Sequence, residues 1–379
     1  MGAGGGAGVL TLRRDRGGAV TWDGPGSGES VLLLAPHPDD ETLSAGGLLQ
    51  RTLARGGRAM VAFATDGENN PWTQRLVERR WRVGPDDCAR FGRRRREEAL
   101  AALSELGVPA ADAVFLGLPD QAMTGLVLCG NEMAVDRIVS LLAGRRPTLL
   151  IAPSLFDLHP DHSALAVLAR LAVVRVDPGL RPRLLSYLIH RSPRMARAGS
   201  ADGPGALRFD PSEKEKDRKR RAIRCHATQL TVHKRKFLSF ADRSEIFFPG
   251  EPVPAGDGLH PVRRVLLGTE SLKLEVELHP RLGAFGRPTL HLATGAPGER
   301  RSLLFDLRWK RGRADVKDFL TDETTGGAAL RGDRRGGIVE VPLQALSGTR
   351  RFYVKLERRF GFFDEGGWLE VENARREDA

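Results

Sequence analysis

Short apolar runs typical of buried β-strands alternate with helical patterns through the first part of this 379-residue chain. In the segments between the runs, apolar residues recur at i, i+3 and i+4, and the segments often end at Gly. The alternation predicts an α/β fold, Rossmann-like, with a mostly parallel sheet and helices on both faces. The five candidate strands are VLLLA (31–35), AMVAFAT (59–65), AVFLGL (113–118), TLLIAP (148–153) and LLSYLIH (184–190).

The pattern changes after about residue 249, where EPVPAGDG (251–258) is typical of a linker. The later segments are strand-like, and turn-forming residues separate most of them; SLKLEVEL (271–278) alternates polar and apolar residues strictly. We therefore expect a flexible N-terminal segment (1–29), an α/β domain (30–249) and a C-terminal antiparallel β-sandwich as an accessory domain (258–379).

The composition of the chain limits the classes of function that we expect. The net charge of +11 favours anionic partners, but the basic runs at 90–100 and 212–224 are interleaved with acids and belong to no recognisable nucleic-acid module, so we expect no nucleic-acid binding. Three widely separated cysteines predict no disulfide framework. No apolar stretch approaches the roughly 18 residues of a membrane span, and the N-terminus lacks a secretory pattern. These features predict a cytoplasmic protein without a membrane span.

PHPDDE (36–41) directly follows the first strand. Ligands of open α/β sheets bind at the carboxyl ends of the strands, and the imidazole of His37 and the carboxylate of Asp40 are suitable zinc ligands. The alternative is that Asp39, Asp40 and Glu41 only place negative charge at a helix N-terminus. That alternative explains the acids but not the histidine.

HPDH (159–162) repeats this arrangement after the fourth strand. Parallel strands bring both loops to one edge of the sheet, so His162 can complete a His, Asp, His site with open positions for water and substrate. His159 and Asp161 are expected close by. Each histidine taken singly fits an ordinary loop or cap residue; two such blocks in one chain favour the metal site.

Further segments follow in a recognisable order: TDGE (65–68), RREEALAALSELGV (95–108), FLGLPD (115–120) and HATQ (226–229). Together with the two His-Pro-Asp blocks they make residues 30–248 resemble the LmbE-like, or PIG-L, family of metal-dependent deacetylases that act on N-acetylglucosaminyl groups. The C-terminal segment lies outside this resemblance.

The resemblance implies roles for individual residues. Arg95 stands among four consecutive arginines, so a solvated helix face is its alternative. Asp157 stands where some members of the family carry tyrosine and others an acid. The implied groups are the metal ligands His37, Asp40 and His162, the general base Asp39, the oxyanion-stabilising His159 with Asp161 orienting or polarising it, and the substrate contacts Arg95 and Asp120.

The implied reaction is hydrolysis of an acetamide. Zn²⁺, or another divalent ion such as Fe²⁺, would activate water, Asp39 would remove its proton, and protonated His159 would stabilise the oxyanion. The expected substrate is an N-acetylglucosaminyl glycoconjugate or related small molecule. Two alternatives stay open, an iron(II) oxygenase with the same ligand set and a non-catalytic glycan- or nucleic-acid-binding protein with a structural metal. The C-terminal domain is expected to contact a large substrate or a partner, or to cap an apolar surface.

Overall fold

The computed structural model describes residues 12–14, 20–191, 205–251, 260–278, 288–294, 302–333, 335–346, 351–358 and 363–372. The strands in these residues form two nine-stranded sheets. In the described part of the chain, no helix is both long and apolar enough to cross a membrane.

The first sheet has the order β1-β2-β8-β9-β7-β6-β3-β4-β5. Its five neighbouring strands β7, β6, β3, β4 and β5 run parallel, and β9 is antiparallel to β7. These five are the predicted strands, so the α/β fold class is confirmed. The bounds are β1 (Leu12–Arg14), β2 (Val20–Trp22), β3 (Ser30–Ala35), β4 (Arg58–Phe63), β5 (Ala113–Phe115), β6 (Leu149–Pro153), β7 (Arg183–Tyr187), β8 (Leu207–Phe209) and β9 (Glu245–Pro249).

Helices cover both faces of this sheet because its central strands are apolar on both sides. Leu32 and Leu34 of β3 join one core and Val31 and Leu33 join the other. The helices are α1 (Asp40–Ala54), α2 (Pro71–Glu78), α3 (Pro85–Leu106), α4 (Met123–Leu128), α5 (Glu132–Arg145), α6 (Pro160–Arg175), α7 (Glu213–Cys225) and α8 (Ala227–Leu238).

The N-terminal segment contributes to the sheet. β2 pairs with β8, and the side chain of Trp22 is 2% exposed because it packs in the same core as β3. The expectation of a flexible tail is therefore wrong for residues 20–22. Residues 1–11 and 15–19 lie outside the described residues.

The second sheet is antiparallel throughout, with the order β10-β11-β16-β15-β14-β13-β12-β17-β18. The strand-like segments after residue 258 are strands, and the antiparallel domain is confirmed. Instead of the two separate sheets of a sandwich, its strands form one continuous sheet around a common core. β14 and β15 have no counterpart in the sequence analysis, because β14 is short and mostly polar and β15 is Gly-rich. The bounds are β10 (Val262–Leu267), β11 (Ser271–Glu277), β12 (Pro288–Thr294), β13 (Ser302–Asp306), β14 (Arg313–Asp318), β15 (Thr324–Asp333), β16 (Gly336–Pro342), β17 (Arg351–Arg358) and β18 (Trp368–Glu372).

The second sheet packs on the first domain through β12 and β18, which contact α4 and α6. Tyr353 and Trp368 are fully buried and belong to the same apolar core as α6. The backbone N–H of Trp368 donates to the carbonyl of Leu155 at 2.8 Å. Gly367 has φ 71°, and a Cβ there would lie 2.1 Å from the Leu155 carbonyl oxygen, so the close approach requires glycine.

Candidate active site

The two His-Pro-Asp blocks meet at the carboxyl edge of the first sheet. β3 and β6 are parallel neighbours, so the loops that follow them lie side by side. The ring centroids of His37 and His162 are 5.3 Å apart. The expected juxtaposition of the two blocks is therefore present in the structure.

Asp40 lies between these histidines. Its Oδ2 is 3.2 Å from Nδ1 of His37 and 3.2 Å from Nε2 of His162. All three side chains are buried. One nitrogen of each imidazole and one carboxylate oxygen thus converge at a single point, where Asp40 opens α1.

The other nitrogen of each imidazole faces a second carboxylate. Nε2 of His37 is 3.1 Å from Asp120 Oδ1 and 3.2 Å from Asp161 Oδ2. Nδ1 of His162 is 3.2 Å from Asp157 Oδ2. Carboxylates placed in this way fix the orientation and tautomer of metal-binding histidines.

These residues fit a divalent cation. Nε2 of His162 is buried and, although it lies 3.2 Å from Asp40 Oδ2, it makes no hydrogen bond of acceptable geometry among the described residues. Three overlapping groups of donors, each within 4.8 Å, also occur here: His37 with His159 and His162, Asp157 with His162 and His190, and His37 with Asp120 and Asp161. We favour His37, Asp40 and His162, because the nitrogens of His37 and His162 that face Asp40 are the ones not held by the other carboxylates.

The balance of buried charges also favours a bound cation. Arg95 is the only buried arginine that contacts this cluster of acids in the described residues. A low-dielectric site with such an excess of carboxylates requires protonation or a bound cation. The buried carboxylates are Asp39, Asp40, Glu41, Asp120, Asp157 and Asp161.

Asp39 has a strained backbone, with φ 137° and ψ −31°. This is outside the regions that non-glycine residues normally occupy, and such strain is concentrated at functional sites. Burial, and then the charge of Asp40, raises the pKa of Asp39 to about 7, although Arg95 opposes the shift. A carboxyl group that titrates near neutrality can exchange a proton in a reaction at ordinary pH.

Arg95 is buried, so the alternative of a solvated helix face is wrong for this residue. Its guanidinium donates to the carbonyls of Gly67 at 2.9 Å and Pro38 at 2.7 Å and to the Asp39 carboxylate at 3.0 Å. A Cβ on Gly67 would lie 1.8 Å from Arg95 Nη1, which explains the glycine in TDGE. In this structure Arg95 holds the loop that carries Asp39.

His159 is the N-cap of α6, and its Nδ1 accepts the backbone N–H of Asp161 at 3.2 Å. We infer the tautomer from this bond: it leaves the proton of the neutral ring on Nε2. Burial, and then the charges of the neighbouring histidines, holds the pKa of His159 well below its usual value. The direction favours a neutral His159, contrary to the expected protonated ring.

The carboxylate of Asp161 accepts the backbone N–H groups of Gln121 at 2.7 Å and Met123 at 3.1 Å and faces His37. The sequence analysis expects Asp161 to orient His159, and the contact that can do so is the bond from the backbone N–H of Asp161 to Nδ1 of the ring. The Asp120 carboxylate likewise contacts His37 and accepts the Asn69 N–H at 2.7 Å.

Sequence reasoning assigned no role to two histidines of the site. His190 ends the predicted strand 184–190, and its Nδ1 lies 3.1 Å from Asp157 Oδ1. Its position at a carboxyl strand end was the available signal. His226 of the HATQ segment lies 3.2 Å from Glu41, which anchors the first loop.

The second domain reaches the site through Phe363. The centroid of its ring lies 5.4 Å from that of His190 and 6.1 Å from that of His159. A cavity of about 730 Å³ lies beside His190, with Leu158 and Phe363 in its lining. The second domain therefore supplies part of the wall next to the site.

Comparison with known proteins identifies the family. The family described as PIG-L: GlcNAc-PI de-N-acetylase matches residues 32–173. A protein of Kribbella flavida named 1D-myo-inositol 2-acetamido-2-deoxy-alpha-D-glucopyranoside deacetylase is 30% identical over 292 residues, which cover 60% of this chain and 95% of the relative. A protein of the same name from Gordonia bronchialis is 28% identical and covers 53% of this chain and 84% of the relative.

A solved structure of a deacetylase in the biosynthesis pathway of teicoplanin has a TM-score of 0.46 and 20% identity, covering 58% of this chain and 97% of that one. The identity to the Kribbella protein and the coverage of nearly its whole length decide the assignment. The chain belongs to the PIG-L, or LmbE-like, family.

Proposed function

We propose that this protein is a divalent-metal-dependent N-deacetylase that hydrolyses the acetamide of an N-acetylglucosaminyl glycoconjugate, releasing acetate and a free amine. The observation that carries the proposal is the convergence of His37 Nδ1 and His162 Nε2 on Asp40 Oδ2, each at 3.2 Å. The names of the relatives support the reaction.

His37, Asp40 and His162 would hold the metal ion. Two imidazole nitrogens and one carboxylate oxygen suit Zn²⁺, which we favour, and they also suit Fe²⁺. When bound, the ion supplies Lewis-acid chemistry that lowers the pKa of water and polarises a carbonyl group.

Asp39 would act as the general base. It is adjacent to a proposed ligand, its backbone is strained, and burial raises its pKa to about 7. In the proposed reaction it takes the proton of the attacking water and returns it to the departing nitrogen, so that the amine leaves neutral. The contact with Arg95 would hold its carboxylate in place.

His159 would stabilise the developing oxyanion. The bond from Asp161 N–H to its Nδ1 supports a neutral ring with Nε2–H as the donor. Oxyanion donors contribute through pre-orientation, and a neutral N–H serves this purpose. Contacts of Arg95 and Asp120 with the sugar stay predictions, as does the cytoplasmic location.

The two alternatives lack a use for Asp39. An iron(II) oxygenase requires the same three ligands but no adjacent buried carboxyl group with raised pKa. A non-catalytic glycan-binding protein gains nothing from a strained aspartate at φ 137°. Hydrolysis uses both features.

The test is incubation of the purified, metal-loaded protein with a panel of N-acetylglucosaminyl compounds, including free sugar, nucleotide-linked, lipid-linked and inositol-linked forms. Acetate release in step with free amine is expected for at least one class. The Asp39→Asn protein with full metal content serves as the control. Absence of acetate from the whole panel, or equal release by Asp39→Asn, would reject the proposal.

A further inference from the structure

The helix α2 turns an apolar face to solvent. Thr73 and Gln74 are buried, whereas Trp72 is 72% exposed and Leu76 is 60% exposed. This is the reverse of an ordinary surface helix, in which apolar residues face the core. Exposed apolar surface of this kind usually marks an interaction site.

A second exposed tryptophan lies beside this face. Trp81 follows α2 and is 85% exposed. Arg75 links the two residues, because its guanidinium lies 5.0 Å from the Trp72 ring and its Nε donates to the backbone carbonyl of Trp81 at 3.0 Å. The arrangement holds two large aromatic side chains outward on one part of the surface.

Cationic side chains surround these residues. Residues 71–82 contain four arginines and one acid, Glu78. The neighbouring helix α8 packs against α2 and contains Lys234, Arg235 and Lys236 but no acid. Its side chains from 231 to 236 are exposed, including the apolar Val232 at 40%.

We define the tryptophan surface as residues 71–82 together with the exposed side chains of α8. It borders the candidate active site: Asn70 caps α2, and the N–H of the preceding Asn69 donates to Asp120. His226, immediately before α8, contacts Glu41. A surface covered by a partner here would lie next to the mouth of the site.

We propose that the tryptophan surface docks on an anionic lipid bilayer. Tryptophan is favoured at membrane interfaces, and clustered Lys and Arg are attracted to anionic head groups. The aliphatic Leu76 and Val232 have a use in a bilayer interface but none in stacking on nucleic-acid bases. The inference does not depend on the deacetylase reaction.

Intrinsic fluorescence gives a direct test, because the other three tryptophans are buried: Trp22 at 2%, Trp309 at 9% and Trp368 at 0% exposed. Full-length protein is titrated with vesicles of phosphatidylcholine and phosphatidylglycerol in equal parts. We expect a blue shift together with co-sedimentation. Binding should be at least about tenfold weaker with vesicles of phosphatidylcholine alone, and also in about 1 M NaCl, where charges are screened beyond roughly 3 Å.

Two variants locate the contact. Trp72→Ala with Trp81→Ala should weaken vesicle co-sedimentation at least about tenfold, whereas Met133→Ala with Leu320→Ala, which removes exposed apolar residues elsewhere, should not. Arg82→Glu with Lys234→Glu should weaken it similarly. Arg313→Glu with Arg331→Glu changes the net charge equally but in the second domain, and should leave binding unchanged.

Circular dichroism would reveal whether the tryptophan double variant fails to fold. In that case the comparison of Arg82→Glu with Lys234→Glu against Arg313→Glu with Arg331→Glu keeps the test decisive. Three results would overturn the proposal: wild-type protein that does not bind the anionic vesicles, binding that survives the substitutions in the tryptophan surface, or a blue shift caused by duplex or single-stranded nucleic acid without vesicle binding.

Discussion

The candidate active site and the second domain bury charged side chains in different ways. Beside β3 and β6, buried carboxylates outnumber the permanent cations, and several face the same histidines. In the second domain, Lys355 is fully buried but pairs with Asp364 at 2.8 Å and donates to Thr124 at 3.1 Å. An unbalanced cluster indicates a ligand to be bound, whereas a balanced pair has a structural use.

Backbone conformation differs in the same way. Where the second domain approaches Leu155, the positive φ of 71° is supplied by Gly367. At the candidate site, an aspartate has φ 137°. Glycine adopts its positive φ without strain, whereas the aspartate is strained. Such strain is expected where the position of a side chain matters more for function than stability does.

The largest expected effect is that of Asp40→Ala, which should abolish metal binding and deacetylation together because it removes the carboxylate shared by His37 and His162. Metal content and acetate release measure the outcome. Asp136→Ala, an exposed aspartate, is the matched control. Normal metal content in Asp40→Ala would contradict the proposed ligand set.

Asp39→Asn separates the base from the ligands. It should retain the metal but lower kcat by about 10²- to 10⁴-fold, because the amide cannot accept the proton. Metal content and steady-state kinetics are measured on the same preparation. Turnover near that of the wild type in fully metallated protein would assign the base elsewhere.

In the second domain, where the buried charges are paired, a substitution should change stability instead of activity. Trp368→Ala should lower the free energy of unfolding by about 3–5 kcal/mol, because it opens a cavity in the core that Trp368 shares with α6. Denaturant unfolding followed by circular dichroism measures the change. Metal affinity of the folded variant should stay within about twofold, and a large loss would show that the two regions are coupled.

The smallest expected effect is that of Asp157→Asn, which weakens the orientation of His162 without removing a proposed ligand. Metal affinity should fall by about 10- to 100-fold, as for other carboxylates that hold a metal-binding histidine. Competition with a chelator measures it, with Asp136→Asn as the control. Unchanged affinity would remove Asp157 from the site.

Local patterns were enough to predict much of the fold. The apolar runs of β3, β4, β6 and β7 are continuous because both faces of these strands are covered. β15 was not predicted, since TTGGAALRGD is Gly-rich and lacks a β-forming composition, and β14 was not predicted because RADVKD is short and mostly polar. The exposed face of α2 was also missed, because periodicity does not reveal which face of a short helix is buried.

Strand periodicity and the alternation of strands with helices are properties of local segments, and they were enough to predict the α/β architecture and the antiparallel second domain. The meeting of the two His-Pro-Asp blocks then followed from the rule that the carboxyl ends of parallel strands share one edge of a sheet. The individual contacts depend on the tertiary structure. His37 and Asp161 are 124 positions apart, and Arg95 lies 56 positions from Asp39. Which nitrogen faces which carboxylate, and whether an arginine is buried, depend on packing between distant segments, and no local pattern carries that information.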